Sequence, residues 1–293
     1  MIELALQAFS PNLVDDVREI LSYDFMQRAI VAGTFIALAA GLVGYFIVLR
    51  NEVFTSDALG HVAFTGGLAS LLANLQLLLG VFGGTIAVAV GMGSLGGRGR
   101  GRDVATGTVF AWVLGVGALF LSLYTSARSA GGGTAGVTIL FGSILGLQEP
   151  QATIAAGAAI ATSLVLLAIA RPLMFVSIDP DVAAARGVPT ALVTVLFLVL
   201  VGATVAEAVQ AVGALLIFGL MVTPAAIAQR VTSRPYAGML LSGALAVCFV
   251  WLGLGLAFYL AYPASFFITA LAFGTYLASA LASRSGRLRL RSV

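Results

Sequence analysis

Hydrophobic positions in this chain fall into long blocks separated by isolated charged residues. Stretches free of charge cover 29–49, 58–97, 104–127, 129–148, 150–170, 187–206, 208–229 and 235–283. A helix needs about 20 mostly apolar residues to cross a bilayer. The 40-residue block 58–97 and the 49-residue block 235–283 are each long enough for two such helices. Gly80, Gly83 and Gly84 suggest a turn inside the first, and Tyr262-Pro263 one inside the second. Block 129–148 differs. It opens on Ala130-Gly131-Gly132-Gly133-Thr134, and its apolar part, Val137 to Leu147, covers about half a bilayer at 1.5 Å per residue. It reads as a re-entrant element, which is tolerated only where protein or a water-filled cavity surrounds it. The pattern predicts an all-α polytopic membrane protein with about nine transmembrane helices plus one re-entrant segment.

Composition agrees. Hydrophobic residues make up 60% of the 293 residues and charged ones 9%, with a mean hydropathy of +1.07. Soluble domains carry roughly 25% charge. This excludes soluble enzymes, nucleic-acid binders and secreted disulfide scaffolds, and makes the lipid bilayer the chain's first partner. The single cysteine, Cys248, rules out an internal disulfide or a thiolate metal cluster.

Charge adds orientation. All fifteen basic residues are arginine. With the N-terminus outside and nine spans, twelve of them fall in the cytoplasm and three (Arg18, Arg28 and Arg128) outside. Ten spans with the N-terminus inside give eleven against four, so the rule alone barely separates the two. The cluster Arg98, Arg100, Arg102 and the acidic first segment favour the first arrangement. Both arrangements place the 171–189 loop and the C-terminus in the cytoplasm. Residues 1–24 are too polar to span, and Leu13, Val17, Ile20 and Leu21 fit a short amphipathic helix lying on the outer surface. The basic segment and adjacent apolar core of a cleaved signal peptide are missing. The chain thus divides into an external segment 1–24, a transmembrane domain 25–283 and a basic cytoplasmic tail 284–293.

Polar residues inside apolar blocks are few and informative. His61, the one histidine, follows Asp57 by four residues, which puts both on one helix face a turn apart. A carboxylate and an imidazole so placed make half a site for a divalent transition metal. From spacing alone a second reading stays open: Asp57 caps the helix start and His61 packs in the wall. Glu207 and Gln210, between two blocks, line an outer mouth or stand in a solvated loop. In the 171–189 loop, Asp179-Pro180-Asp181 is a helix-start signal, Ala183 to Ala185 favour helix and Gly187 stops it. A two-turn cytoplasmic helix follows, either a partner-docking element or a connector. Without lysine the chain holds no standard P-loop, so ATP-driven work would need an ATPase on another polypeptide.

At these same residues the chain resembles a known family. Asp57-Ala58-Leu59-Gly60-His61, Phe141-Gly142-Ser143-Ile144-Leu145, Asp179-Pro180-Asp181 with Gly187, and Val212-Gly213-Ala214-Leu215-Leu216 through Thr223-Pro224-Ala225-Ala226 resemble, in order, motifs of the metal-ion ABC permeases. Those proteins are membrane subunits of bacterial manganese, zinc and iron importers. Two departures are mild: Gly60 stands for the usual serine and Asp181 for glutamate. The resemblance implies a type II ABC importer permease in the bacterial inner membrane, with no permanently bound cofactor and a divalent metal ion as cargo. Implied partners are a second permease copy in a homodimer, a cytoplasmic ATP-binding subunit and an extracytoplasmic metal-binding protein. Asp57 and His61 become metal-contacting residues. Asp179, Pro180, Asp181, Ala183 and Gly187 become the coupling segment to the ATPase. Readings kept beside it are a siderophore or cobalamin permease and an ion-coupled carrier.

The topology has a direct test. On a Cys248→Ala background, a cysteine at Val182 is expected to react with an impermeant maleimide only after permeabilisation, and one at Glu3 in intact cells. External labelling at Val182 would refute the arrangement.

Overall fold

The computed structural model describes residues 13–94, 100–127, 132–260 and 262–290. Residues 1–12 of the expected external segment, Arg98 and Arg128 lie outside them. The described chain is helical: α1 Leu13–Ser22, α2 Asp24–Leu49, α3 Val53–Leu72, α4 Leu77–Ser94, α5 Arg100–Ala127, α6 Gly132–Phe141, a 3-10 turn Ile144–Gly146, α7 Glu149–Ile178, α8 Pro180–Ala185, α9 Thr190–Val212, α10 Ile217–Val231, α11 Pro235–Leu260 and α12 Ala264–Leu290. Among the described residues, seven helices are long and apolar enough to cross a membrane: α2, α4, α7, α9 and α11 whole, Thr106–Ser126 of α5 and Ala264–Ala282 of α12. Two other helices lie where the apolar pattern places spans. One is α3, 20 residues long and carrying Asp57 and His61. The other is α10, whose 15 residues rise about 22 Å.

Helix α2 is the centre of the bundle. Ile36, Phe46 and Ile47 on it are fully buried, and it packs against α7, α9, α10 and α11. Small residues make this closeness feasible, as they do generally between helices in lipid. Gly44 lies directly on the backbone of Met221, and Ser242 on α11 donates a 2.6 Å hydrogen bond to the Gly41 carbonyl. Large apolar side chains on the outer helices, such as Trp112, Leu164 and Phe273, are exposed.

Two expected boundaries move. The first apolar block turns at residues 73–76, where Asn74 takes a positive φ of 55°, and the glycines 80–84 stay helical. Gly80 instead meets Gly66 backbone to backbone, so this pair sets the α3–α4 approach. The second is Arg171-Pro172. Helix α7 runs through both and ends only at Ile178, which shortens the loop expected in the cytoplasm to 179–189. Proline there removes one intrahelical bond and leaves the flanking turns intact.

The half-length block behaves as its length demands. Helix α6 has ten residues, about 15 Å of rise. The chain then turns at Gly142, makes one 3-10 turn and re-enters a long helix at Glu149, where Gln148 and Gln151 form a capping box. A second break, Gly213–Leu216 between α9 and α10, lies against it. Ala214 N–H donates to the Ile139 carbonyl (3.1 Å), Leu215 N–H to Leu140 (3.1 Å) and Ser143 N–H to Gln210 (3.2 Å). Gly142 and Gly213 both have positive φ, 72° and 88°, and a Cβ on either would strike the backbone of the other segment. Gly213→Ala is therefore expected to destabilise the purified protein by at least the ~1–3 kcal/mol of a strained backbone. Gly157→Ala, facing open space, should leave the thermal midpoint in place. Equal midpoints for the two variants would refute the crossing.

Candidate metal pathway and coupling segment

Helix α3 is positioned at its start by a buried charge cluster. Arg50 Nε donates to Glu52 Oε1 at 2.9 Å, Arg50 Nη2 donates to Thr194 Oγ1 at 3.2 Å, and the guanidinium stands 5.2 Å from the centre of the Phe197 ring. The α2–α3 turn is thereby tied to α9. Glu52 is the residue before the helix, so Asp57 lies five residues in and caps nothing. Asp57 and His61 are both half-buried. Their face of α3 looks toward α5: Phe54 and His61 each meet the Phe110 ring edge-on, His61 at 5.2 Å, and Thr65 donates to the Val113 carbonyl. On the other side of the same turn, Gly60 packs against Ala214 and Ile217 of the crossing, at distances where a Cβ would be tight. Glycine in place of serine here lets α3 sit close to the broken segment. Among the described residues no group of three or more His, Cys, Asp and Glu side chains comes together.

The 179–187 segment folds as a capped helix. Asp179 Oδ1 accepts from Asp181 N–H (3.1 Å) and Val182 N–H (2.9 Å), Pro180 occupies the first turn, and Gly187 at φ 81° stops the chain after Arg186. Asp179, Pro180, Asp181 and Gly187 are exposed. Ala183 is 0% exposed and faces α7 and α9 of its own chain, whereas Val182 is 43% and Ile178 67% exposed. The free apolar face is therefore Ile178–Val182, and Ala183 anchors the segment.

Glu207 and Gln210 do not stand in a solvated loop. Both belong to α9, which continues unbroken to Val212. Glu207 is 0% exposed; its Oε1 accepts a 3.2 Å hydrogen bond from the Thr162 hydroxyl on α7, and its buried Oε2 has no partner among the described residues. Gln210 folds its amide back onto the Ala206 carbonyl (3.2 Å) and lines a cavity of about 270 Å³ with Thr138, Ser143, Gln148 and Gln151.

A profile of the ABC 3 transport family matches residues 22–283. The chain belongs to that family. Among curated proteins it is 30% identical over 234 residues to the manganese import system permease protein ScaB of Streptococcus parasanguinis, covering 79% of this chain and 81% of that one. It is 28% identical over 225 residues to the manganese transport system membrane protein MntC of Halalkalibacterium halodurans, covering 76% and 75%. Among solved structures, PsaBC from Streptococcus pneumoniae in complex with Fab superimposes with a TM-score of 0.78 at 25% identity, over 92% of this chain and 95% of that one. The fold is that of an ABC transporter permease, and the protein is multi-pass in the membrane.

Three features of this ABC 3 chain escaped the sequence reading. The Arg50–Glu52 cluster was signalled only as charge between two apolar blocks. Thr162, the partner of Glu207, was one hydroxyl in an apolar run. The cavity is built from four separate segments. The inward Ala183 yields a stability test. Ala183→Arg should destabilise the isolated chain by about 1–3 kcal/mol through overpacking. Val182→Arg, on the open face, should stay within roughly 0.5 kcal/mol of wild type in thermal unfolding. The reverse order would mean that the segment is turned the other way.

Proposed function

We propose that this chain is the membrane-spanning permease subunit of an ATP-driven importer of a divalent transition metal ion, with manganese the first candidate. The observation that carries the reading is the Asp57–His61 pair: the only histidine of the chain, one turn from a carboxylate, within an apolar helix of an ABC 3 family protein. Oxygen plus nitrogen suits manganese, iron or zinc. The relatives named above are manganese systems, which favours manganese as cargo and a bare ion over a chelate.

Each part then has a task. Asp57 and His61 contact the ion in transit, with water or the same residues of a second permease copy completing the shell. Such a site binds weakly enough for the ion to leave again. The ATP-binding subunit is a separate polypeptide, and the exposed Ile178–Val182 face with Asp179, Pro180, Asp181 and Gly187 docks on it. Ala183 seats that helix on α7 and α9. An extracytoplasmic binding protein delivers the ion from outside.

His61→Ala and Asp57→Ala are each expected to lower manganese uptake in cells by on the order of tenfold or more, with expression and ATPase co-purification unchanged. Because both act on one ion, the double variant should be little worse than either single one. Normal uptake by His61→Ala would remove the site, since the chain has no second histidine.

A further inference from the structure

The carboxyl of Glu207 has no task in the pathway described so far. It is 0% exposed, in the interior of a transmembrane helix, and one of its oxygens is buried without a hydrogen-bond partner. A carboxyl group in such a place is costly and persists where it meets a cation or completes its hydrogen bonds. Among the described residues it makes no ion pair, although α2, which also packs on α9, carries Arg28. Thr162 Oγ1 lies at 3.2 Å. Thr204, one turn back on α9 and on the same face, is also fully buried, and its hydroxyl donates to the Leu200 carbonyl, leaving lone pairs free. Helices α4 and α6, both packed on α9, contain no charged residue. The two on α7, Glu149 and Arg171, are about 20 Å and 13 Å along the helix from Thr162.

Position gives this group a route. Helix α9 starts beside the cytoplasmic segment, and Glu207 lies 17 residues along it, about 26 Å further out. Gln210, the next turn, lines the cavity and bonds the Ala206 carbonyl next to Glu207. That cavity offers hydroxyl and amide oxygens from Thr138, Ser143, Gln148 and Gln151. All-oxygen donor sets suit hard divalent ions, manganese among them, better than zinc or copper.

We propose that Glu207, with the Thr162 hydroxyl, forms a second cation-contact site, reached through the Gln210 cavity, that takes up divalent manganese by oxygen ligands on the outer part of the path before it meets Asp57 and His61. The inference rests on the metal-importer reading. It adds a station with different ligand chemistry: carboxylate and hydroxyl outside, carboxylate and imidazole further in. Oxygen-only ligation holds manganese loosely, and the mixed site then draws it onward.

The test is manganese binding to the full-length permease purified with its ATPase in lipid nanodiscs, followed by the electron paramagnetic resonance of the free ion. Four proteins are compared: wild type, Glu207→Gln, the double variant Asp57→Ala/His61→Ala, and the triple variant. The double variant is expected to keep a class of bound manganese that the triple variant loses, and Glu207→Gln alone should lose that class and keep the other. Thr162→Val should weaken the class several-fold, and Glu207→Asp, which keeps the carboxylate, should bind more than Glu207→Gln. Equal binding by the double and triple variants would overturn the proposal and leave Oε2 to a water molecule or a monovalent ion. If Asp57→Ala/His61→Ala binds as wild type does, the inner site falls, and Glu207 is still decided by comparing the double with the triple variant. Thermal midpoints of all variants, expected to match wild type, separate lost ligands from lost fold.

Discussion

Backbone amides and carbonyls inside a bilayer have no water to bond, so each must be satisfied by the protein itself. Continuous helices meet that demand alone. This chain breaks two helices, at Gly142 and Gly213, and satisfies the freed groups by pairing the breaks with each other through Ala214, Leu215 and Ser143. The rest of the architecture follows from that crossing. It requires a half-length α6 and a short α10, and it requires glycine at both turns because the two backbones occupy the space of each other's side chains. The Gln210 cavity opens beside it, and Gly60, next to His61, rests on it.

The opposite end of α9 is held by charge. Arg50, Glu52, Thr194 and Phe197 form a buried cluster that joins the α2–α3 turn to the first turns of α9. A buried ion pair is weak evidence for stability, since desolvation offsets much of its attraction. Its value here is registration: it ties the start of the helix that carries Asp57 and His61 to the helix that follows α8. One continuous helix thus runs from beside α8, past this latch, to Glu207, Gln210 and the crossing.

Much of this was legible in the sequence because bilayer thickness imposes a length on apolar blocks. The half-length of 129–148 announced a short, broken element, and Asp179-Pro180 with Gly187 announced a capped short helix. What failed were two inferences that took a charge or a glycine inside an apolar stretch as a boundary. Glu207 divides two apolar blocks on paper, yet a hydroxyl 45 residues away lets it sit inside a helix. Gly80 and Gly84 resemble a turn and serve as contact points, whereas the turn falls at Asn74, which accepts a positive φ. The direction of Ala183 was hidden because a six-residue helix has no periodicity to read.

The length of α9 has a mechanical consequence. From Thr194 at the latch to Gln210 at the cavity the helix rises about 24 Å. A tilt of only five degrees about the latch would carry Gln210 sideways by about 2 Å, comparable to the radius of a water molecule and to a manganese–oxygen bond. The helix has the geometry of a lever whose short arm lies beside α8 and whose long arm ends at the Gln210 cavity. A small displacement beside α8 is thereby enlarged by the time it reaches the buried carboxyl of Glu207.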